Sequence, residues 1–192
     1  MNRTIVLAVA VLFLTLSGCG YNTIQNQDEG VKSAHAQVLS VYKKRADLIP
    51  NLVEVVKGFA AQEKSVLVGV TEARAKATQV TLPADATPQQ MKAFLDSQKA
   101  LGASLGRLLA VAEAYPQLKS DVGFLNLQRQ LDEVESQATA ARNKYIRSIR
   151  QYNITVRSFP VNLTAMFFGY KEKPQMQFED EQAIKKTPQV KF

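Results

Sequence analysis

Cysteine occurs once in these 192 residues, at Cys19, and histidine once, at His35. One thiol leaves no internal disulfide and no thiolate metal site. One histidine rules out the paired Glu-x-x-His segments with which helical bundles hold two irons. His35 itself falls between Val31 and Val38 on an apolar helix face, where a core or interface role outweighs catalysis. There is no Gly-rich phosphate loop and no HRD or DFG string, so nothing here resembles a kinase. No nucleic-acid recognition motif is present. Asp132, Glu133 and Glu135, in QLDEVE, read as a solvated helix face. No catalytic, cofactor or metal site is expected, and the chain reads as a non-enzyme.

What is present begins at the N-terminus. Met1 to Thr4 carry one positive charge, and Ile5 to Leu16 is apolar apart from Thr15. This is the layout of an export signal. Its 12 residues fall short of the ~20 that a helix needs to cross the hydrocarbon of a bilayer. Including the uncharged Ser17 to Asn22 leaves a thin transmembrane helix as the alternative. Leu16-Ser17-Gly18-Cys19 resembles the bacterial lipobox, which makes Cys19 a candidate for lipidation and for the first residue of a mature lipoprotein. Two or three acyl chains hold a protein to a membrane far more firmly than one, since each buried methylene contributes ~0.8 kcal/mol. The other reading keeps Cys19 inside an uncleaved signal-anchor helix. Arg3 before the apolar run and Asp28 and Glu29 after it place the body on the extracytoplasmic side under either reading.

The remaining residues are enough for one domain with its own core. We read 1–18 as signal peptide or signal-anchor, 19–170 as a helical domain, and 171–192 as a charged, mobile tail. Without Arg3, 23 Lys and Arg stand against 17 Asp and Glu, a net charge of +6. Such a charge favours anionic partners.

Periodicity supplies the architecture. Ile24, Val31, Val38, Tyr42, Ile49, Leu52, Val56 and Phe59 fit the a and d positions of one heptad register. Pro50 lies inside that helix and is expected to kink or open it. A second helix spans Gln62 to about Gln79. The third is announced by Thr87-Pro88-Gln89-Gln90, the ingredients of a capping box with proline at the first position, and runs to about Ala114. Lys119-Ser120-Asp121 offers the next cap. The fourth helix repeats Phe124, Leu131, Ala138, Tyr145, Tyr152 and Phe159 every seven residues, with a stutter around Tyr145. Gly102 and Gly106, in LGASLGRL, have GxxxG spacing and read as a site of tight helix packing.

The stretches Ile24 to Phe59 and Phe124 to Phe159 have equal length, 36 residues each, or ~54 Å of helix. The fold class expected is all-α: an elongated, antiparallel up-down four-helix bundle of two long and two shorter helices, preceded by an N-terminal membrane-targeting helix. The fourth helix then returns toward the membrane, bringing SFPVNLTAMFFGY near its surface. In that half the shorter helices are expected to leave Tyr145, Ile149, Tyr152 and Val156 partly exposed, a candidate interface for self-association. No acidic residue occurs between Glu135 and Glu172, while Arg142, Lys144, Arg147, Arg150, Arg157 and Lys171 do. Arg157 and Lys171 are the candidates for contact with lipid headgroups, against the plainer reading that such cations pair with Asp28 and Glu29.

GCGYNTIQ, YKKRADLIPNLVEVVKGFAAQEKSVLVGVTEARAKA, LGRLLAVAEAYPQLKSDVGFLNLQRQLDEVE, ARNKYIRSIRQYN and FPVNLTA resemble the LemA family of bacterial envelope proteins. The resemblance covers nearly all of residues 19–170. It departs at His35, in AHAQV, where the family has tryptophan. It implies an all-helical, membrane-attached protein facing the exterior of the cytoplasmic membrane, and it brings no catalytic residues.

The function expected is a membrane-tethered helical scaffold of the cell envelope, bound to lipid through its N-terminal anchor and to copies of itself. The alternative is an accessory subunit for an envelope protease or transporter. Nucleic acid is not an expected partner.

Overall fold

The computed structural model describes residues 3–175, with side chains from residue 20 onward. Cys19's side chain, the side chains of the apolar run, and residues 176–192 of the expected tail lie outside the described residues. The described residues fold into six helices: α1 (Arg3–Phe59), α2 (Lys64–Gln79), α3 (Pro88–Ala114), α4 (Pro116–Lys119), α5 (Val122–Arg157) and α6 (Val161–Phe168). The described residues include no strand.

Local signals set several of the boundaries. At α3 the capping box forms as expected: Thr87 Oγ1 accepts from the Gln90 amide at 3.2 Å, and Gln90 Oε1 accepts from the Thr87 amide at 2.8 Å. At α5 the Asp121 carboxylate accepts from the Phe124 amide at 2.8 Å. Each such cap stabilises its helix by ~1 kcal/mol. Two short helices go beyond the four read from periodicity. α4 is one turn after Pro116, and α6 follows the turn Ser158-Phe159-Pro160. Phe159, read as the last heptad position of the fourth helix, therefore lies beyond its end.

Seven of the eight apolar positions expected on the first helix are buried, the exception being Phe59. They pack against α5 in two clusters. One joins the later part of α1 to α2, α4, the second half of α3 and the start of α5, around Leu52, Leu101, Leu108 and Leu118. The other joins Ile24 to Tyr42 of α1 to the second half of α5, the start of α3 and Ala165 of α6. In it the Tyr42 and Phe94 rings meet edge-on at 5.2 Å. His35 is buried there too, its Nε2 donating to the Leu82 carbonyl at 2.9 Å and its ring 5.6 Å from that of Tyr145. A carbonyl only accepts, so Nε2 carries the proton. The single histidine thus pins the α2–α3 loop to α1.

Pro50 does not break α1, which continues on both sides of it. Proline has no amide hydrogen, so the Ala46 carbonyl four residues earlier loses its helical donor. Arg74 of α2 replaces that donor: its Nε reaches the Ala46 oxygen at 2.7 Å. The proline faces solvent while Ala46 is buried. A charged donor on a neighbouring helix thus satisfies a backbone oxygen that would otherwise be buried and unpaired.

The GxxxG reading also changes. A Cβ on Gly102 would stand 3.1 Å from the Arg45 guanidinium, whereas one on Gly106 would meet nothing within 4 Å. Gly102 makes room for a buried arginine rather than for a helix backbone. Arg45 in turn pairs with Glu135 of α5 at 3.1 Å, so one acid of QLDEVE reaches across to α1 instead of serving only as a solvated face.

Candidate membrane-facing end

The turn of α1 that follows Cys19, the end of α5 and α6 converge at one end of the molecule. Gly20 lies so close to α6 that a Cβ there would sit 3.0 Å from Val161 Cγ1. One residue on, the Tyr21 ring is 4.8 Å from that of Phe168 and 6.3 Å from that of Tyr170. The residues immediately following Cys19 are thus packed directly against α6.

A Schellman motif closes α6. Gly169 takes φ +75°, its amide donates to Met166 O at 3.3 Å, and the Tyr170 amide donates to Ala165 O at 2.8 Å. This left-handed position favours glycine because a Cβ would crowd the backbone. The helix then exposes what a helix usually buries. Its small residues Thr164 and Ala165 face inward, while Leu163, Met166, Phe167 and Phe168 are 47–84% exposed. Phe159, at 77%, extends the apolar surface toward α5.

Charge surrounds this surface. Residues 170–175 turn back along α1 and α5, held by the buried Asn153. Its amide nitrogen donates to the Lys173 carbonyl and its amide oxygen accepts from the Lys173 N–H, both at 2.8 Å. Lys173 Nζ reaches Asp28 Oδ1 at 2.8 Å and lies 5.0 Å from the Tyr152 ring centre. Burial by itself raises the Asp28 carboxyl. Hydrogen bonds from Lys173 and Lys32 outweigh it and bring the group below its ordinary value. Burial pushes the Tyr152 phenol up, and the Asp28 charge adds to this. The chain just after α6 is therefore tied to the body at Glu172 and Lys173. Asn153, within a glycosylation-like Asn-Ile-Thr, has both side-chain polar atoms engaged.

The predicted site residues fare differently. Arg157 and Lys171 lie exposed at this end, as their place beside α6 requires. Arg157 Nε donates to Asn153 O at 3.2 Å and stands 3.8 Å from Glu172. The expected exposure of Tyr145, Ile149, Tyr152 and Val156 is not found: all four are 1–7% exposed within the chain. α1 covers them along its length, and Leu82, Ala86, Met91, Phe94 and Ala165 complete the cluster. Sequence reasoning gave the stripe α1 alone as its full-length partner. It missed the start of α3, the α2–α3 loop and α6, which supply the rest. The Asp28–Lys173 pair fits the plainer reading of the basic residues as partners of acids on α1, although nothing in the sequence singles out Lys173.

Among the described residues no group of three or more His, Cys, Asp or Glu side chains is placed to hold a metal ion, and no helix is long and apolar enough to cross a membrane. Magnetosome proteins MamQ 1 and MamQ 2 of Paramagnetospirillum magneticum (strain AMB-1) are each 26% identical over 190 residues, covering 90% of this chain and 70% of theirs. Magnetosome protein MamQ of Magnetospirillum gryphiswaldense (strain MSR-1) is 24% identical over 189 residues, covering 87% and 70%. The pattern of the LemA family matches residues 34–192, which takes in the later part of α1, all of α2 to α6 and the segment that follows, and the chain belongs to that family.

Proposed function

We propose that this chain is a non-enzymatic, membrane-tethered helical scaffold of the bacterial cell envelope, with its body on the extracytoplasmic side. The observation that carries the reading is the continuity of α1 from Arg3 to Phe59. Its first turns contain the apolar run and its later turns the spine of both core clusters. Whether the apolar run or an acyl group on Cys19 is the anchor, it joins this same helix and so holds the body directly, with no flexible linker between. Around that spine α1, α2, α3 and α5 serve as the four helices of a bundle, with α4 and α6 as its caps.

Attachment is through lipidated Cys19. Gly20 and Tyr21 already pack against α6, so Cys19 is the last residue before the folded body and suits a mature N-terminus. Kinship with proteins named for the magnetosome brings no enzyme activity to this chain. The contact with other proteins lies at the opposite end, where Phe59, Val122 and Leu125 are exposed. A second copy of the chain is the partner we favour over an envelope protease or transporter.

Crosslinking from position 122 in intact membranes, combined with mass measurement of the native N-terminus, tests both parts. The expected result is a ladder of the protein with itself and an acylated chain beginning at Cys19. A single dominant foreign band replaces the scaffold by the accessory-subunit reading. A native chain that retains Met1 and has no acyl mass replaces lipidation by a single-span anchor.

A further inference from the structure

We propose that α6, together with Phe159, inserts into the headgroup and upper acyl zone of the bilayer. It would form a second lipid contact that docks the body by its α6 end at the foot of the anchor. The proposal rests on the tethered reading above and adds a site to it.

Three observations support a lipid surface as the occupant. The first is the inverted burial of α6, with Thr164 and Ala165 inside and Leu163, Met166, Phe167 and Phe168 outside. Monomeric proteins rarely present so dense an apolar surface to water, and such patches mark contact with a membrane or a partner. The second is position. Phe168 touches Tyr21, and Val161 touches Gly20. At ~1.5 Å of helix per residue, Tyr21 is only ~3 Å along the axis from Cys19 and ~8 Å from Leu16, the end of the apolar run. An interfacial helix sinks ~5–10 Å below the headgroup boundary, so a bilayer holding residues up to 16 or 19 already reaches α6. The third is the rim. Tyr21 and Tyr170 border the patch, and tyrosine collects at membrane interfaces because its ring is apolar and its hydroxyl wet. Arg157 and Lys171 flank it, while the nearby acids Glu172 and Asp28 are engaged by Arg157 and by Lys173 and Lys32. Basic residues beside an apolar helix face suit anionic headgroups.

The sequence contains no tryptophan, so one introduced indole reports alone. Full-length Phe167→Trp, at a position 84% exposed, is reconstituted into phosphatidylcholine–phosphatidylglycerol vesicles. The control is full-length Val68→Trp on α2, 54% exposed and in the other half of the molecule. Both variants are first checked for unchanged circular dichroism. With vesicles, the indole at 167 is expected to shift to shorter wavelength, to be quenched by acyl-brominated lipid and to be shielded from iodide. The indole at 68 should stay iodide-accessible. If the protein floats with vesicles but the two positions behave alike, the tether stands and insertion of α6 is overturned. A blue-shifted indole at 167 that brominated lipid does not quench also overturns it and assigns the patch to protein contact. Protein that fails to float overturns the tethered reading and the proposal with it.

Discussion

Replacing Arg74 by methionine removes the guanidinium that caps the Ala46 carbonyl and keeps an unbranched apolar stem on α2. The lost bond is short, 2.7 Å, and its acceptor is on a buried residue. A hydrogen bond to a charged group contributes ~1.5–3 kcal/mol. For a domain of this size each kcal/mol moves the melting temperature by ~2–4 °C. Arg74→Met is therefore expected to lower the Tm by roughly 3 to 12 °C. Pro50→Ala supplies the amide that the Ala46 carbonyl lacks and should raise the Tm. The gain should be below the ~3 kcal/mol that separates proline from alanine in a helix interior, because Arg74 has already recovered part of the loss. The decisive quantity is the coupling. Once the backbone amide introduced by Pro50→Ala donates to the Ala46 carbonyl, losing Arg74 should matter less, with an interaction energy within the ~0.5–3 kcal/mol seen for groups in one network. Thermal and urea melts of the wild type, both single variants and the double variant measure it. If Arg74→Met costs the same in both backgrounds, the Ala46 carbonyl is not what links the two residues, and the account of how α1 tolerates Pro50 fails.

Ile149 is 1% exposed, so Ile149→Ala should cost ~2–5 kcal/mol in urea melts. Ile149→Glu should unfold the chain instead of dispersing an assembly, and a folded Ile149→Glu protein would restore the stripe as a surface. Asp28 has a folded-state pKa below its ordinary value of 3.8. Its contribution is thus fully present above that value and is lost as pH falls through the folded-state value. Acid melts should show less destabilisation between pH ~5 and ~2 in Asp28→Asn than in the wild type, and equal slopes would deny the Lys173 and Lys32 pairing. Gly169→Ala places a Cβ at φ +75° and should destabilise the cap of α6 by ~1 kcal/mol, read as earlier fraying in hydrogen exchange of residues 165–170.

Signals that act within a turn or two of helix were legible in the sequence. The Thr87–Gln90 box and the Asp121 cap start their helices where their side chains predict, because the groups they satisfy are three residues away. The a and d positions of α1 and the run from Phe124 to Tyr152 identified a buried face, because amphipathic spacing states which side of a helix avoids water. The sequence did not state what covers that face. Tyr145, Ile149, Tyr152 and Val156 carry the same apolar signal whether they meet another helix of the chain or a second molecule, and only the tertiary arrangement decides between them. Pro50 shows the same division. Its missing amide is a local fact, but the repair by Arg74 comes from a helix 24 residues away in sequence, so no local pattern announces an unbroken α1. Lys173 was one lysine in a charged tail until Asn153 and Asp28, 20 and 145 residues distant, gave it partners. With α6, composition placed Met166, Phe167 and Phe168 among apolar residues, which ordinarily go inside. Eight residues cannot bury both faces of a helix against one support, and the packing of Thr164 and Ala165 on the body is what turned the larger side chains outward.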